Sequence, residues 1–129
     1  MTTLHPPPFT LSVEAEPARI TVRIAGDLDY ETCDELLDTV APYLDERRDA
    51  AGSPDESSLH LDFGGLGSID SMGLSALLMI RRRSDASGVR LRLEQRPTAL
   101  ERLLDMTGTL HYLTAPREES DGRQAPGTG

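Results

Sequence analysis

Residues 61–74 read Leu-Asp-Phe-Gly-Gly-Leu-Gly-Ser-Ile-Asp-Ser-Met-Gly-Leu, the most informative part of the sequence. Leu61 and Phe63 flank a polar residue, as in a strand that buries one face. Glycines then indicate a loop, and the polar pair Asp70 and Ser71 opens an apolar helical pattern. The stretch therefore predicts an α/β unit in which two polar side chains stand at the start of a helix.

The rest of the chain contains more segments with the two-residue period of a half-buried strand. Their alternating apolar residues are Phe9, Leu11 and Val13, then Ile20, Val22 and Ile24, then Val89, Leu91 and Leu93, while Leu59 extends the strand quoted above. The positions between them are mostly polar. This pattern predicts a sheet with one face toward water and the helices packed mainly on the other.

Helical spacing of apolar residues predicts three helices, at about 30–47, from 71 or 72 to 84, and 97–107. Asp29 is the expected N-cap of the first helix, and Pro42 is expected to kink or split it. Pro97 suits the first position of the third helix, and Gly88 and Gly108 are expected end points. The order of elements predicts an α/β domain with a mixed sheet of four strands, or of five, in which the first two strands can form a hairpin.

Length and periodicity together predict one domain. The chain has 129 residues, enough for a single core but not for two domains with a cleft between them. We expect the domain to occupy residues 9–114. Residues 1–8 are expected to be a flexible N-terminus, 48–57 a flexible loop, and 115–129 a disordered tail, because none of them has a periodic apolar pattern.

The composition excludes several classes of partner and compartment. The net charge is −9, which repels nucleic acid and anionic membranes, so neither is an expected partner. Cys33 is the single cysteine, which suits a reducing compartment. The first eight residues contain three prolines and lack the pattern of a signal peptide. A cytoplasmic location is therefore expected.

Three motifs resemble those of the STAS family, the sulfate transporter and anti-sigma factor antagonist domains. Residues 61–74 resemble the family's strand and loop that lead to Asp-Ser-Ser-Gly-Leu at a helix start. Gly26-Asp27-Leu28-Asp29, followed by Thr32, resembles the family's Gly-Glu-Leu-Asp and Thr-Ala segment. Pro97, Leu103 and Met106-Thr107-Gly108 resemble its last helix and closing turn. The likeness spans residues 9–113 and implies the STAS fold.

The resemblance implies a switch protein rather than an enzyme. In the family's bacterial regulators, the serine directly after the aspartate is phosphorylated, and that position here is Ser71. The unphosphorylated form would bind an anti-sigma factor of the ATP-dependent serine kinase type and release its sigma factor. Phosphorylation would end this binding, and a metal-dependent serine phosphatase would reset the protein. No cofactor is implied. The alternative is a non-phosphorylated STAS scaffold or sensor module outside sigma-factor control.

Two polar residues at the start of the second helix each allow two interpretations. A phosphate on Ser71 would face unsatisfied backbone N–H groups and the positive end of the helix dipole, so the fold would tolerate it. Taken alone, Ser71 is more typical of an N-cap. Asp70 either favours the dipole or helps form the surface presented to the kinase.

The predicted partner-binding residues are Gly26, Asp27, Asp29, Asp70, Ser71, Met72, Gly73, Ser75 and Met79. Met72 stands where the family has a small residue, and it falls with Ser75, Met79 and Arg82 on one helical stripe. This stripe is either exposed to a partner or tucked against neighbouring elements. Gly73 either leaves the first turn unobstructed or allows a close neighbour.

Aspartates, serine and histidines also invite interpretations as metal ligands or catalytic groups. Asp27 and Asp29 are typical of a turn former and an N-cap, with magnesium binding as a lesser alternative. The three histidines have no metal-ligand spacing. A serine hydrolase would need a nucleophile elbow and a well-placed base, and a receiver domain would need a lysine, of which the chain has none.

Overall fold

The computed structural model describes residues 9–49 and 57–115. The expected flexible N-terminus, the tail from residue 116 onward and most of the loop at 48–57 lie outside the described residues. Within the described residues the strands are β1 (Thr10–Ala15), β2 (Arg19–Leu28), β3 (Ser58–Ile69) and β4 (Arg90–Glu94). The helices are α1 (Cys33–Asp49), α2 (Ser71–Ser87), α3 (Thr98–Thr107) and α4 (Leu110–Thr114).

The strands form a mixed sheet in the order β1-β2-β3-β4. β1 and β2 are an antiparallel hairpin, closed where the N–H of Glu16 donates to the carbonyl of Arg19 (2.8 Å). β2 and β3 are parallel, and so are β3 and β4, because a helix crosses over between each pair. The predicted mixed four-stranded sheet is confirmed, and the described residues add no fifth strand.

The apolar positions of the strands converge on one face of the sheet. Fully or nearly fully buried there are Ile20, Val22, Ile24, Leu59, Leu61, Phe63, Leu91 and Leu93. The helices contribute Leu36, Val40, Leu44, Leu77, Ile80, Leu100 and Leu104 to the same cluster. The helices therefore pack mainly on one face, as predicted, since a two-residue strand period and a helical period each provide one apolar side.

The opposite face of the sheet is polar, and its central residue is His60. This histidine is only 7 % exposed because it lies in β3 between Thr21 of β2 and Arg92 of β4. Its Nε2 is 3.0 Å from the Ser58 hydroxyl and its Nδ1 is 2.8 Å from a Glu94 carboxylate oxygen. The backbone N–H of Ser58 donates to the carbonyl of Ala18 (3.0 Å), so it is not free to stabilise an oxyanion as it would in a serine hydrolase. The three residues are thus a satisfied hydrogen-bonded chain on an open face.

The predicted start of the first helix and its predicted N-cap, Asp29, are wrong. The helix begins at Cys33, three residues later than predicted, because residues 30–32 form a turn. Asp29 starts that turn, and its carbonyl accepts the N–H of Cys33 (2.8 Å). Pro42 lies inside one continuous helix, so of the two effects expected of it the split does not occur.

The other helices agree more closely with the predictions. α2 begins at Ser71 and runs three residues beyond the predicted end, to the left-handed Gly88. α3 begins directly after Pro97 and ends at Gly108, also left-handed. None of the helices in the described part of the chain has the length and apolar character needed to cross a membrane.

Candidate functional site

The predicted site lies where two neighbouring parallel strands end. β2 and β3 reach the same edge of the sheet, with Asp27 opposite Ser68 and Leu28 opposite Ile69. The chain then enters the turn before α1 on one side and α2 on the other. The N–H of Asp70 donates to the carbonyl of Leu28 (3.2 Å), so the two segments are joined at the backbone.

A single carboxylate connects these two segments. One oxygen of Asp70 (Oδ1) accepts the N–H of Gly73 at 2.9 Å and caps α2. The other oxygen (Oδ2) accepts the N–H of Tyr30, forty residues earlier in the chain, at 3.2 Å. Asp70 is therefore the N-cap, and the interpretation of Ser71 as the N-cap is wrong.

Ser71 is the first residue of α2, and it is exposed. No described residue forms a hydrogen bond with its hydroxyl. The backbone N–H groups of Ser71 and Met72 likewise have no partner among the described residues, as is usual in the first turn of a helix. The hydroxyl is thus accessible, has no part in capping the helix, and stands at the positive end of the dipole.

Thr32 fixes the turn that faces Ser71. Its hydroxyl donates to the Asp27 carbonyl at 2.8 Å and accepts the N–H of Asp29 at 2.9 Å. The Asp29 carboxylate accepts the N–H of Glu31 at 3.0 Å, an Asx turn. Asp29 is therefore a turn former and not the predicted N-cap, while Asp27 contributes its backbone carbonyl. Among the residues that the structure describes, no three His, Cys, Asp or Glu side chains form a group that could hold a metal ion.

Tyr30 lies at this junction, in the turn that follows β2. The predicted helix would have included it, whereas the turn leaves it 68 % exposed. The negative charge of Glu31, and a hydrogen bond to it (3.2 Å), raise the pKa of the Tyr30 phenol above its ordinary value, and Asp29 and Asp70 act in the same direction. The aromatic ring is thus surrounded by negative charge, which suits a basic partner surface.

The predicted stripe on α2 is exposed. Met72 is 48 % exposed and Met79 37 %, and Ser75 and Arg82 are also exposed. The alternative, in which the methionines are tucked against neighbouring elements, is not what the structure shows for Met72. Exposed methionines can adapt to an irregular apolar partner surface.

Two of the predicted partner-binding residues are glycines that lie below this surface. Gly26 is buried and has a positive φ of 96°, next to a shift in the β2–β3 register. Gly73 is buried, and a Cβ there would lie 2.4 Å from the carbonyl oxygen of Leu28. Both therefore shape the site from below its surface, and the close neighbour expected for Gly73 is confirmed.

The division of labour between Asp70 and Ser71 gives a first prediction. We expect Ser71→Ala to change the free energy of unfolding by less than about 0.5 kcal/mol, because Ser71 caps nothing. Asp70→Ala removes the cap and the bond to Tyr30, and should cost about 1–2 kcal/mol. Urea unfolding followed by circular dichroism measures both. An equal loss in the two variants would show that the Ser71 hydroxyl is structural.

Comparison with known proteins gives a consistent family assignment. A family model described as "Mlab, STAS domain" matches residues 11–114. An anti-sigma factor antagonist from Mycobacterium paratuberculosis is similar in structure, with a TM-score of 0.63 and 21 % identity over 84 % of each chain. The unphosphorylated anti-sigma factor antagonist SpoIIAA has a TM-score of 0.62 and 18 % identity, over 79 % of this chain and 82 % of that one.

A much longer chain also contains this fold. SLC26A9 has a TM-score of 0.59 and 16 % identity over 74 % of this chain, which corresponds to 17 % of that chain. No curated protein matches the sequence. At these identities the structural likeness shows the fold: a mixed four-stranded sheet with helices, as in anti-sigma factor antagonists.

Proposed function

Since this chain belongs to the STAS domain family, we propose that it is an anti-sigma factor antagonist whose binding is switched off by phosphorylation of Ser71. The observation that carries this proposal is the Ser71 hydroxyl, exposed at the first position of α2 while Asp70 performs the capping. The similar structures include two anti-sigma factor antagonists. In this role the protein is a substrate and a ligand in the cytoplasm, without catalysis of its own.

The position of Ser71 allows modification without unfolding. A phosphate there gains from the helix dipole and from the two unpartnered N–H groups of the first turn. It displaces no hydrogen bond of the hydroxyl within the described residues. The fold therefore supports a switch that changes the surface and leaves the core unchanged.

The surroundings of Ser71 explain how a phosphate would weaken binding. Tyr30 and Met72 offer exposed apolar contact area on either side of it. Covering that area would desolvate the phosphate, which carries a charge of about −1.5 to −2. Asp70 adds like charge close by, and the remaining phosphates of a nucleotide in a partner kinase would add more. Repulsion and desolvation then oppose the complex after phosphoryl transfer.

The proposed cycle follows from these two states. The unphosphorylated protein binds an anti-sigma factor of the ATP-dependent serine kinase type, and the sigma factor is released. The kinase transfers phosphate to Ser71 and dissociates, and a metal-dependent serine phosphatase restores the unphosphorylated form. The contact surface comprises Asp27, Asp29, Tyr30 and Asp70 together with the exposed stripe of α2.

The test is a pull-down from the native host with four baits: wild type, Ser71→Ala, Ser71→Glu and Ser12→Glu. Ser12 is an exposed serine on β1, so its variant is a control for added charge. We expect an ATP-binding, kinase-like protein on every bait except Ser71→Glu. Mass spectrometry should find phosphate on Ser71 of the wild type, and the captured protein with ATP should add it to wild type but not to Ser71→Ala.

A different result would favour the scaffold. If all four baits capture the same partners and Ser71 carries no phosphate, the protein is a constitutive STAS scaffold or sensor outside sigma-factor control. Met72, in place of the family's small residue, would then indicate a different partner class. Reset of the phosphorylated form should require a divalent metal, so a chelator that leaves the reset unaffected would contradict the proposed phosphatase.

A further inference from the structure

The last strand of the sheet has an open edge. β4 pairs with β3 and with no other strand of the described chain. The N–H of Arg90 donates inward to Ser57 (3.0 Å), so alternation directs the N–H groups of Leu91 and Leu93 outward. Among the described residues, one hydrogen bond lies on this outer side: the Arg96 guanidinium donates to the Leu93 carbonyl (3.0 Å). Within residues 9–49 and 57–115, the outward N–H groups therefore have no hydrogen-bond partner.

A groove runs along the same edge. It has a volume of about 240 Å³ and is lined by Leu91, Arg92, Leu93, Glu94, Arg96 and Thr114. Leu91 and Leu93 are each 7 % exposed, whereas Leu59 and Leu61, in the neighbouring strand, are 0 % exposed. The apolar layer of the sheet is thus slightly open at this edge, where a further strand would complete it.

The charge at this edge is positive, although the chain as a whole is acidic. Arg90 and Arg92 are exposed on the polar face, and no described acidic side chain forms an ion pair with either. Neighbouring charges are already paired: Arg96 with Glu101 (2.9 Å), and Glu94 with His60 (2.8 Å). Within the described residues, two guanidinium groups therefore stand beside the open strand without an ion pair.

From these observations we infer that the outer edge of β4 binds an extended, acidic segment of a partner protein as a fifth strand. Because strand side chains alternate, every second residue of that segment lies beside Arg90 and Arg92 and is acidic. The residues between them lie beside Leu91 and Leu93 and are apolar. This surface shares no residue with the site around Ser71, and the inference does not depend on the proposed switch.

The alternative is that the arginines only deter edge-to-edge pairing between copies of the chain. The two explanations differ in whether the edge of β4 binds a strand that alternates acidic and apolar residues. A fluorescein-labelled peptide that alternates Glu and Val should bind the full-length protein, measured by anisotropy, and a Lys and Val peptide should not. Amide exchange followed by NMR should show new protection of Leu91 and Leu93, which a purely electrostatic contact would not produce.

Charge reversal at the edge provides the matched variants. We expect Arg90→Glu with Arg92→Glu to weaken the Glu and Val peptide at least about tenfold. Arg19→Glu with Arg83→Glu makes the same change in net charge on exposed residues of β2 and α2 and should have little effect. If the reversed pair fails to fold, Arg90→Gln with Arg92→Gln replaces it. No binding, equal binding of both peptides, or unprotected leucine amides would overturn the inference, as would binding of anionic vesicles in place of the peptide.

Discussion

Gly73→Ala should destabilise the protein by about 2–4 kcal/mol, although alanine is ordinarily the better helix former. The added methyl carbon would lie 2.4 Å from the Leu28 carbonyl oxygen and 2.9 Å from a side-chain carbon of Ile69. The Leu28 oxygen belongs to the backbone of a buried strand, so it cannot swing aside. Relief requires α2 to move away from β2, which strains the bonds from Asp70 to Leu28 and to Tyr30. Urea unfolding measures the loss.

Gly64→Ala is the matched control for this variant. A methyl group there meets a carboxylate oxygen of Asp62 at 3.1 Å, and that side chain lies on the open polar face and can shift. We expect a change within about 1 kcal/mol. If Gly73→Ala were as stable as the wild type, the close approach of α2 to β2 would be wrong. The Gly73→Ala protein should also lose the partner of the proposed switch, while Gly64→Ala retains it.

The sheet could be predicted from the sequence because its signal is local. Apolar residues alternate in β1, β2, β4 and the first half of β3, and this period determines which face is buried. The prediction is wrong for residues 64–69, where the glycines indicated a loop but β3 continues and pairs with β2. The helix ends at Gly88 and Gly108 were equally local, since a glycine after an apolar repeat is a typical C-terminus. These features required no knowledge of what lies across the fold.

The details of the site could not be predicted because they depend on contacts between distant segments. The N–H of Tyr30 is bound by Asp70, forty residues away, and the hydroxyl of Thr32 closes the turn before α1. The apolar spacing after Asp29 therefore predicted a helix where the chain forms a turn. Likewise, Asp70 and Ser71 both suit an N-cap, and only the geometry shows that the aspartate takes that position.

Arg81 is a buried charge in the second half of α2. It is 4 % exposed, and its guanidinium donates to Asp85 at 3.0 Å. It also donates to the carbonyls of Tyr112 (2.7 Å) and Ala115 (2.9 Å), and it stacks over the Tyr112 ring at 5.2 Å. The Arg81 side chain thus binds the end of α4. This helix has five residues and too few internal hydrogen bonds to be stable alone.

Arg81→Met should therefore cost about 2–4 kcal/mol and release α4 from the domain. Methionine keeps much of the apolar stem, so the loss would come from the unpaired carbonyls and the uncompensated Asp85. Arg82→Met, an exposed neighbour in the same helix, should change stability by less than about 0.5 kcal/mol. Asp85→Asn keeps the hydrogen bonds from Arg81 to the two carbonyls, so its loss of stability should lie between those of the other two variants. Asp85 is 28 % exposed, and water can solvate the part of the guanidinium that loses its partner.

Amide exchange distinguishes the docking of α4 from general destabilisation. In the wild type, the N–H of Leu113 donates to Thr109 (3.0 Å) and that of Ala115 to His111 (2.8 Å), so both should be protected. In Arg81→Met these amides should exchange much faster than those of β2 and β3, because α4 opens while the sheet remains intact. In Asp85→Asn they should stay protected. If Asp85→Asn exposes them as fully as Arg81→Met does, the ion pair rather than the carbonyl bonds holds α4, since only the ion pair is lost in both variants.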